Sequence, residues 1–337
     1  MIVKAKTMRA IRKIRWGILG TGAIAKKFAE GLKLAPDAEL LAVGSRTAKT
    51  AEKFADAFQI SHRHAGYDKL ANDSDVDAIY VATPHPFHME NTLMCLRAGK
   101  AVLCEKPFAI NASQATRMVN AARDKGLFLM EAMWTRFLPV IAKVRQLLDQ
   151  EVIGQVRLLQ ADFGFKGKWN RKSRLFNPEL AGGALLDVGV YTVSLASMVF
   201  KKPPKEISAM AHIGKTGVDE QSAMLFGYDD GQLAVLHCAV RTETPQQALI
   251  IGTKGSIRIY PQFWRAIAAT ISVEGKKDRV LEIPLDGYGL DHQAREVMRC
   301  LSTGKLESDV MPLDESVQIM KTMDEIRAQL QLKYPME

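Results

Sequence analysis

The sequence predicts an α/β fold of two domains: an N-terminal domain on a parallel sheet, and a C-terminal α+β domain with an open, mainly antiparallel sheet. Strand-like and helix-like segments alternate up to about residue 135, a glycine-rich turn follows the first strand, and longer strands separated by turns come afterwards. Strands that alternate with amphipathic helices form βαβ units on a parallel sheet. At 337 residues the chain also exceeds what one small core accommodates.

The first domain, residues 13–135, consists of apolar runs of strand length and segments with apolar residues at helical spacing. In the first predicted helix, Ile24, Phe28 and Leu32 recur at four-residue steps and so share one face. Strands are predicted over 15–19, 39–43, 77–82, 100–104 and 127–130, and helices over 23–33, 51–58, 86–98 and 111–125. We expect right-handed crossovers between neighbouring strands.

The second domain, residues 136–337, begins with a helix over 140–150 and continues with a strand over 154–165. Turn sequences at 228–231 and 253–255 separate apolar runs as hairpin turns do. Further helices are predicted over 186–199, 291–301 and 313–332. This half is therefore predicted to be a mainly antiparallel sheet with helices against it, and we expect it to supply the substrate site.

Net charge and apolar content limit the classes of partner. The formal net charge is +9, and six of the basic residues lie within the first fifteen positions. Residues 1–12 are therefore expected to form a flexible lead-in, because they lack both an apolar core and a cleavage site. Basic residues elsewhere mostly alternate with acids, which indicates solvated helix faces and not a nucleic-acid surface. No unbroken apolar stretch reaches membrane-spanning length, so we expect neither nucleic-acid nor membrane partners.

Cysteine usage indicates the compartment. The four cysteines are scattered, with no CxxC pair and no histidine at zinc spacing. Reduced thiols in a cytoplasmic protein are the expected state.

A glycine-rich turn predicts a dinucleotide site. The segment 20–25 reads GxGxxA, follows the first apolar run and opens an amphipathic helix. In the Rossmann fingerprint the first glycine permits a tight turn, the second admits a pyrophosphate, and the helix N-terminus binds the anion. A purely structural glycine turn is the alternative. The predicted contacts are Gly20, Thr21, Gly22, Ala23 and Ile24.

The end of the second strand favours NADP(H) over NAD(H). An acidic residue at this place would bind the ribose 2′-hydroxyl. This chain has Ser45, Arg46 and Thr47 instead, which offer a guanidinium and two hydroxyls to a 2′-phosphate and no repelling carboxylate. An exposed loop arginine without ligand is the alternative for Arg46.

Two later strands end in polar segments that should also face the cofactor, since ligands bind beyond the carboxyl ends of such strands. One segment contains Thr83, Pro84 and His88, and the other contains Glu105 and Lys106. A lysine beside a nicotinamide ring can take part in proton transfer when its pKa is depressed. The alternative is that Lys106 is a surface ion-pair partner of Glu105.

These segments resemble the glucose–fructose oxidoreductase/inositol dehydrogenase (Gfo/Idh/MocA) family. The motifs that carry the resemblance are the GxGxxA turn, Thr83-Pro84 with His88, Glu105-Lys106-Pro107, and Gly182-Gly183 followed by Asp187-x-Gly189-x-Tyr191. They occur in the family's order and span both domains. Within the family, residues 130–137 and Tyr191 are most similar to the branch of dimeric dihydrodiol dehydrogenases and NADP-dependent D-xylose dehydrogenases.

The resemblance implies roles for residues of the second domain. Tyr191, which replaces a histidine found in many members, is expected to be the acid or base on the substrate oxygen. Lys106 is expected to lower the pKa of that phenol, and Asp187 to orient a substrate hydroxyl. The alternatives are a half-buried helix tyrosine for Tyr191 and a helix N-terminal charge for Asp187.

Further site residues are predicted around this group. Trp134 and Arg136 are expected to contact substrate, whereas Phe163, Trp169 and Trp264 are more typical of a core. His85 and His88 lack partners at metal-binding spacing, and we expect no metal.

The sequence thus predicts an NADP(H)-dependent oxidoreductase acting on the CH–OH group of a sugar or cyclic diol. A homodimer or homotetramer is expected to form through the C-terminal sheet, as the resemblance implies. A non-catalytic NADP sensor of the same fold is the alternative, although a sensor has no chemical need for the pair Lys106 and Tyr191.

Overall fold

A computed structural model describes residues 13–337. The predicted lead-in at 1–12 lies outside the described residues. Two sheets organise the described chain: a six-stranded parallel sheet and an eight-stranded, mainly antiparallel sheet. The predicted fold class is confirmed.

The parallel sheet has the strand order β3-β2-β1-β4-β5-β6. Its central and later strands are buried along their whole length, as expected when helices cover both faces of a parallel sheet. The strands are β1 Ile14–Leu19, β2 Ala38–Ser45, β3 His62–Ala65, β4 Ala78–Val81, β5 Ala101–Glu105 and β6 Leu129–Ala132. The helices are α1 Ala23–Leu32, α2 Ala48–Phe58, α3 Tyr67–Ala71, α4 His88–Arg97 and α5 Ala112–Lys125.

The second sheet has the order β14-β13-β12-β11-β7-β10-β9-β8, in which only β7 and β10 pair in parallel among the described strands. Its strands are β7 Val156–Gly164, β8 Glu206–Ile213, β9 Asp219–Gly227, β10 Leu233–Ala239, β11 Ala248–Gly252, β12 Gly255–Ile259, β13 Ala268–Val273 and β14 Arg279–Glu282. The accompanying helices are α6 Pro139–Asp149, α7 Val190–Phe200, α8 Asp291–Ser302 and α9 Leu313–Gln329. Burial alternates along β8, β9 and β10, so one face of this sheet packs on the core and the other is exposed.

The sequence analysis missed β3 and α3. The four residues of β3, His-Arg-His-Ala, alternate between half-buried and exposed and contain no apolar run. A short strand at a sheet edge is formed by backbone pairing with β2, and hydrophobic pattern does not reveal it.

The predicted helix over 186–199 is confirmed, and its first turn has π-helical geometry. Residues Leu185–Gly189 form a π-helical turn, and α7 begins only at Val190. The same stretch, Pro178–Phe200, is by length and composition apolar enough to cross a membrane, although its apolar run is interrupted by Glu179 and Asp187. Since 94% of its apolar part is buried inside the protein, we assign this segment as a core helix.

Arg136 is buried and bonded to two helices of the second domain. Its guanidinium donates to the carbonyl oxygen of Ser194 at 2.8 Å and pairs with Glu315 of α9 at 2.7 Å. The side chain is only 4% exposed. Its contacts therefore join the segment after β6 to α7 and α9, and the expected substrate contact stays a prediction.

Replacing Arg136 by Met should destabilise the protein by about 3 kcal/mol, because it leaves the Glu315 carboxylate without its partner in a largely buried place. Urea unfolding measures the change. Arg117→Met, on the exposed face of α5, is the control and should stay within about 0.5 kcal/mol of the parent. Equal effects of both variants would contradict a structural role for the Arg136 pair.

Glu131 of β6 makes stability depend on pH. Its carboxyl is fully buried and accepts the Phe108 N–H at 3.2 Å, and burial raises its pKa to about 7. The folded protein thus holds this proton more tightly than the unfolded chain, whose glutamate pKa is about 4.3. The stabilisation is complete below that value and is lost as pH rises through 7.

Glu131→Gln, which stays neutral, should therefore gain up to about 3 kcal/mol of stability relative to the parent between pH 4.5 and pH 8. Urea unfolding at both pH values measures the difference between the two proteins. Glu325→Gln, exposed on α9, is the control and should show no such trend. A constant difference between Glu131→Gln and the parent would contradict the assignment.

Candidate active site

Gly20 forms the turn between β1 and α1. Its φ is +111°, and a Cβ at this position would lie 2.8 Å from the carbonyl oxygen of Ala82 at the end of β4. Its N–H donates to the carbonyl oxygen of Gly44 at 2.9 Å. Only glycine combines this left-handed backbone with this close approach, so the turn joins three strand ends.

Gly22 leaves open space at the N-terminus of α1. It is the N-cap residue of the helix in an extended conformation, and no described side chain caps the helix there. A Cβ at Gly22 would meet nothing within 4 Å. The first N–H groups of α1, including those of Ala23 and Ile24, therefore face open space with the positive end of the helix dipole. A pyrophosphate fits this donor set.

The end of β2 lies beside the glycine turn. Thr21 Oγ1 is 3.4 Å from Ser45 Oγ, which is 2.7 Å from Thr50 Oγ1. Thr47 caps α2 by accepting the Thr50 N–H at 3.3 Å. Arg46 is exposed and lies near the ring of Tyr67, so its guanidinium can reach a ligand over this edge.

His88 connects two strand-end turns. Its Nδ1 lies 2.8 Å from the carbonyl oxygen of Pro107 and its Nε2 lies 2.8 Å from that of Thr83. The ring is fully buried, and burial lowers its pKa to about 4 although the two carbonyl contacts favour the protonated form. Both nitrogens face the backbone, and His88 thus acts on the cleft through the turns that carry Pro84 and Lys106.

Lys106 follows β5 and is directed to the second domain. Its Nζ donates to the carbonyl oxygen of Asp187 at 2.7 Å and lies 3.6 Å from the Asp187 carboxylate. The side chain is 13% exposed, and burial lowers its pKa. The alternative of a surface pair with Glu105 is wrong. The buried carboxyl of Glu105 instead accepts the hydroxyl of Tyr80, and burial raises the Glu105 pKa to about 7.

Asp187 lies between two cations. Arg174 binds it through two parallel hydrogen bonds, Nη1 to Oδ1 at 2.7 Å and Nη2 to Oδ2 at 3.2 Å. Burial alone would raise its pKa, but Lys106 and Arg174 outweigh burial and lower the pKa well below its usual range. The carboxylate is therefore ionised and bridges the two basic groups. This role differs from the alternative given above, in which Asp187 is only a charge at a helix N-terminus.

Tyr191 of α7 completes the group. Its hydroxyl accepts the indole N–H of Trp134 at 2.9 Å, and Lys106 Nζ lies 4.8 Å from the ring centroid. Burial, with the nearby Glu105 carboxyl, raises the pKa of the phenol well above 10. The net direction is opposite to the expected lowering because burial dominates; the Lys106 ammonium is bonded to the Asp187 carbonyl oxygen and lies over the ring face.

An aromatic wall surrounds the phenol. Trp134 lies 5.3 Å from Tyr288 and 6.0 Å from Trp264 between ring centroids. Phe163 stacks on Trp264 at 4.8 Å and lies 5.4 Å from Tyr191. The predicted Trp134 is thus joined by two residues that the sequence analysis had left in the core.

The sequence analysis missed Arg174 and gave His85 no role. His85 Nε2 is 3.5 Å from Arg174 Nη1, and its Nδ1 is 3.3 Å from the carbonyl oxygen of Ala181. Arg174 lies in a basic stretch, residues 166–174, without a recognisable motif. Only the fold brings it to Asp187.

Comparison with known proteins assigns the family. Residues 14–133 match the model described as "Oxidoreductase family, NAD-binding Rossmann fold", and residues 141–258 match the "GFO/IDH/MocA C-terminal domain". Proteins named trans-1,2-dihydrobenzene-1,2-diol dehydrogenase are similar over nearly the whole chain. The one from Xenopus tropicalis is 38% identical, covering 95% of this chain and 99% of its own, and the one from Mus musculus is 37% identical, covering 96% and 99%.

Solved structures agree with this. The 3-ketoreductase KijD10 from Actinomadura kijaniata, in complex with NADP and TDP-benzene, has a TM-score of 0.84 and 27% identity, covering 95% of this chain and 98% of its own. Aldose-aldose oxidoreductase from Caulobacter crescentus, at 24% identity and a TM-score of 0.87 over 95% and 98%, shares the fold. Both domains and the strand-end motifs thus lead to one assignment: the chain belongs to the Gfo/Idh/MocA family of oxidoreductases.

Proposed function

We propose that this protein is an NADP(H)-dependent dehydrogenase or reductase that interconverts a CH–OH group and a carbonyl on a sugar or cyclic diol. One observation carries the proposal: Asp187 and Tyr191 of the second domain meet Lys106 beyond the carboxyl end of β5, and the first turn of the parallel-sheet domain leaves room for a dinucleotide. The relatives named dihydrodiol dehydrogenase and the 3-ketoreductase act on the same kind of group.

The cofactor would be held by the turn after β1 and by the ends of the next strands. The uncapped N-terminus of α1 would bind the pyrophosphate, and Ser45, Arg46 and Thr47 the 2′-phosphate. Thr83, Pro84, Glu105 and Lys106 would border the nicotinamide. When bound, the nicotinamide supplies hydride transfer, and the protein supplies binding, orientation and electrostatics.

Tyr191 would donate its proton from Oη to the substrate oxygen during reduction. The raised pKa keeps the phenol protonated near neutrality, so the donor is present. The Trp134 N–H bonded to Oη, together with the ammonium of Lys106, would stabilise the phenolate left after transfer. Water would then return a proton to the phenolate; oxidation would run in reverse, with Oη first losing its proton to water and then accepting the substrate's hydroxyl proton.

Asp187 would fix the charges around this phenol. Its carboxylate holds Lys106 and Arg174 in place, and the remaining lone pairs can accept a substrate hydroxyl. The aromatic wall of Trp134, Phe163 and Trp264 offers an apolar surface to one face of a ring substrate. Arg136 is not included, because its guanidinium is bonded to Ser194 and Glu315.

The exposed face of the eight-stranded sheet would form the oligomer contact, in a cytoplasmic homodimer or homotetramer. Met210 is 78% exposed, and Leu225, Leu233 and Val235 are each more than 40% exposed. A cavity of about 760 Å³ on this face is lined mostly by polar side chains, among them His237, Gln247 and Arg258. A sheet face that combines exposed apolar residues with a polar hollow is suited to a second copy of the sheet.

Tyr191→Phe removes the proposed proton donor and should lower kcat about 10²–10⁴-fold, with NADPH affinity unchanged. Initial rates with a panel of sugars and cyclic diols, and their ketones, measure the loss. Tyr228→Phe, another buried tyrosine, is the control and should keep the parent rate. An unchanged kcat in Tyr191→Phe would remove the acid/base role, and a parent that binds NADPH without turnover on any compound would favour a sensor.

Arg46→Ala should weaken NADPH binding about tenfold or more while leaving NADH binding nearly unchanged, because only NADPH carries the 2′-phosphate. Fluorescence titration with both cofactors measures the two affinities. Arg117→Ala on α5 is the charge-matched control. An equal loss for both cofactors, or none, would contradict the proposed phosphate contact.

A further inference from the structure

We propose that His62, His64 and Asp73 form a binding site for a borderline divalent cation such as Zn²⁺, separate from the proposed active site. His62 Nδ1 and His64 Nε2 lie 2.7 and 2.8 Å from the same oxygen, Asp73 Oδ2. The three atoms all lie within 4.8 Å of one another. Two imidazoles and one carboxylate are a common ligand set for such ions.

The backbone presents the two imidazoles together. His62 and His64 are two residues apart on β3, and side chains at this spacing leave a strand on the same face. Arg63 between them leaves on the other face and pairs with Asp56 at 2.6 Å. The pairing of β3 with β2 fixes this alternation, so both rings are directed at Asp73 without any loop rearrangement.

Asp73 is held in position by the turn that follows α3. Its second oxygen, Oδ1, accepts the N–H of Asp75 at 3.0 Å. Lys100 Nζ donates to the carbonyl oxygens of Asp73 and Val76, at 2.5 and 2.8 Å. The oxygen Oδ2 is therefore oriented by contacts that do not involve the imidazoles. The ammonium of Lys100 also adds a positive charge nearby, which moderates the affinity for a cation.

The spacing suits a metal that replaces the two hydrogen bonds. With metal–ligand bonds of about 2.0–2.1 Å, the ligand atoms of a tetrahedral Zn²⁺ site are about 3.3 Å apart. The imidazole nitrogens, at most 4.8 Å apart, need to move away from Oδ2 by about half an ångström and towards each other, and each ring keeps its proton on its other nitrogen. The side chains of His62 and His64 are 33% and 22% exposed, so water can enter and complete the coordination.

The site would act on structure and not on the redox reaction. It would join β3, at the edge of the parallel sheet, to the turn before β4, and so close the segment 62–73 that contains α3. Sequence analysis expected no metal, and the proposed site departs from that expectation while using neither His85 nor His88.

Zn²⁺ added to the tag-free, chelator-treated full chain should bind with one equivalent in calorimetry. His62→Gln, His64→Gln and Asp73→Asn should each weaken binding at least about tenfold, whereas His212→Gln, an exposed histidine elsewhere, should not. Circular dichroism and NADPH binding verify that each variant is folded.

A second measurement needs no variant: one equivalent of Cu²⁺ bound to the parent chain should show coupling to two imidazole nitrogens in its paramagnetic resonance spectrum. Absence of Zn²⁺ binding up to about millimolar concentration, binding that survives in all three ligand variants, or a Cu²⁺ spectrum without nitrogen coupling would overturn the proposal. The cluster would then be a hydrogen-bonded histidine–aspartate group only.

Discussion

The carboxylate of Asp187 holds the two halves of the site together. Asp187 comes from the second domain and lies between two basic residues. Lys106 follows a strand of the parallel sheet, and Arg174 lies on the loop before Asp187. A buried carboxylate without partners would be unfavourable by several kcal/mol, and the same applies to a buried ammonium. Each group is therefore stable in this place only when both domains are docked and all three charges are present.

Other contacts across the same boundary depend on this docking. The hydroxyl of Thr135 donates to the carbonyl oxygen of Trp264 at 2.8 Å, and the indole of Trp134 donates to Tyr191. The last helix, α9, contacts both sheets and binds the N–H of Ala112 through Asp324 at 2.8 Å. The chain thus returns to its first domain at its end, and the cleft is framed by residues from widely separated parts of the sequence.

Much of the fold could be predicted from sequence, because the strand and helix periodicities are strong in the first domain. The glycine turn also marks where the first strand ends and the first helix begins. The residues that follow strands, such as Lys106, could also be placed at one edge from topology alone. The surroundings of each site side chain could not be predicted from the sequence. Arg174 reaches Asp187 through a loop without pattern, and the pKa of Tyr191 depends on burial and on which group the Lys106 ammonium contacts. The direction of a side chain could not be predicted either. Trp134 contacts Tyr191, whereas Arg136, two residues later, pairs with Glu315.

The division of the charged group between domains has a consequence for how such enzymes diversify. The ammonium belongs to the half that binds the dinucleotide, whereas the carboxylate, the guanidinium and the phenol belong to the half that shapes the substrate cleft. Exchange of the second half between relatives would bring a new cleft together with the tyrosine proposed as the proton donor. The recipient half would need to supply only one positive charge at the correct place, so a chimera inherits its chemistry and its specificity from the same parent.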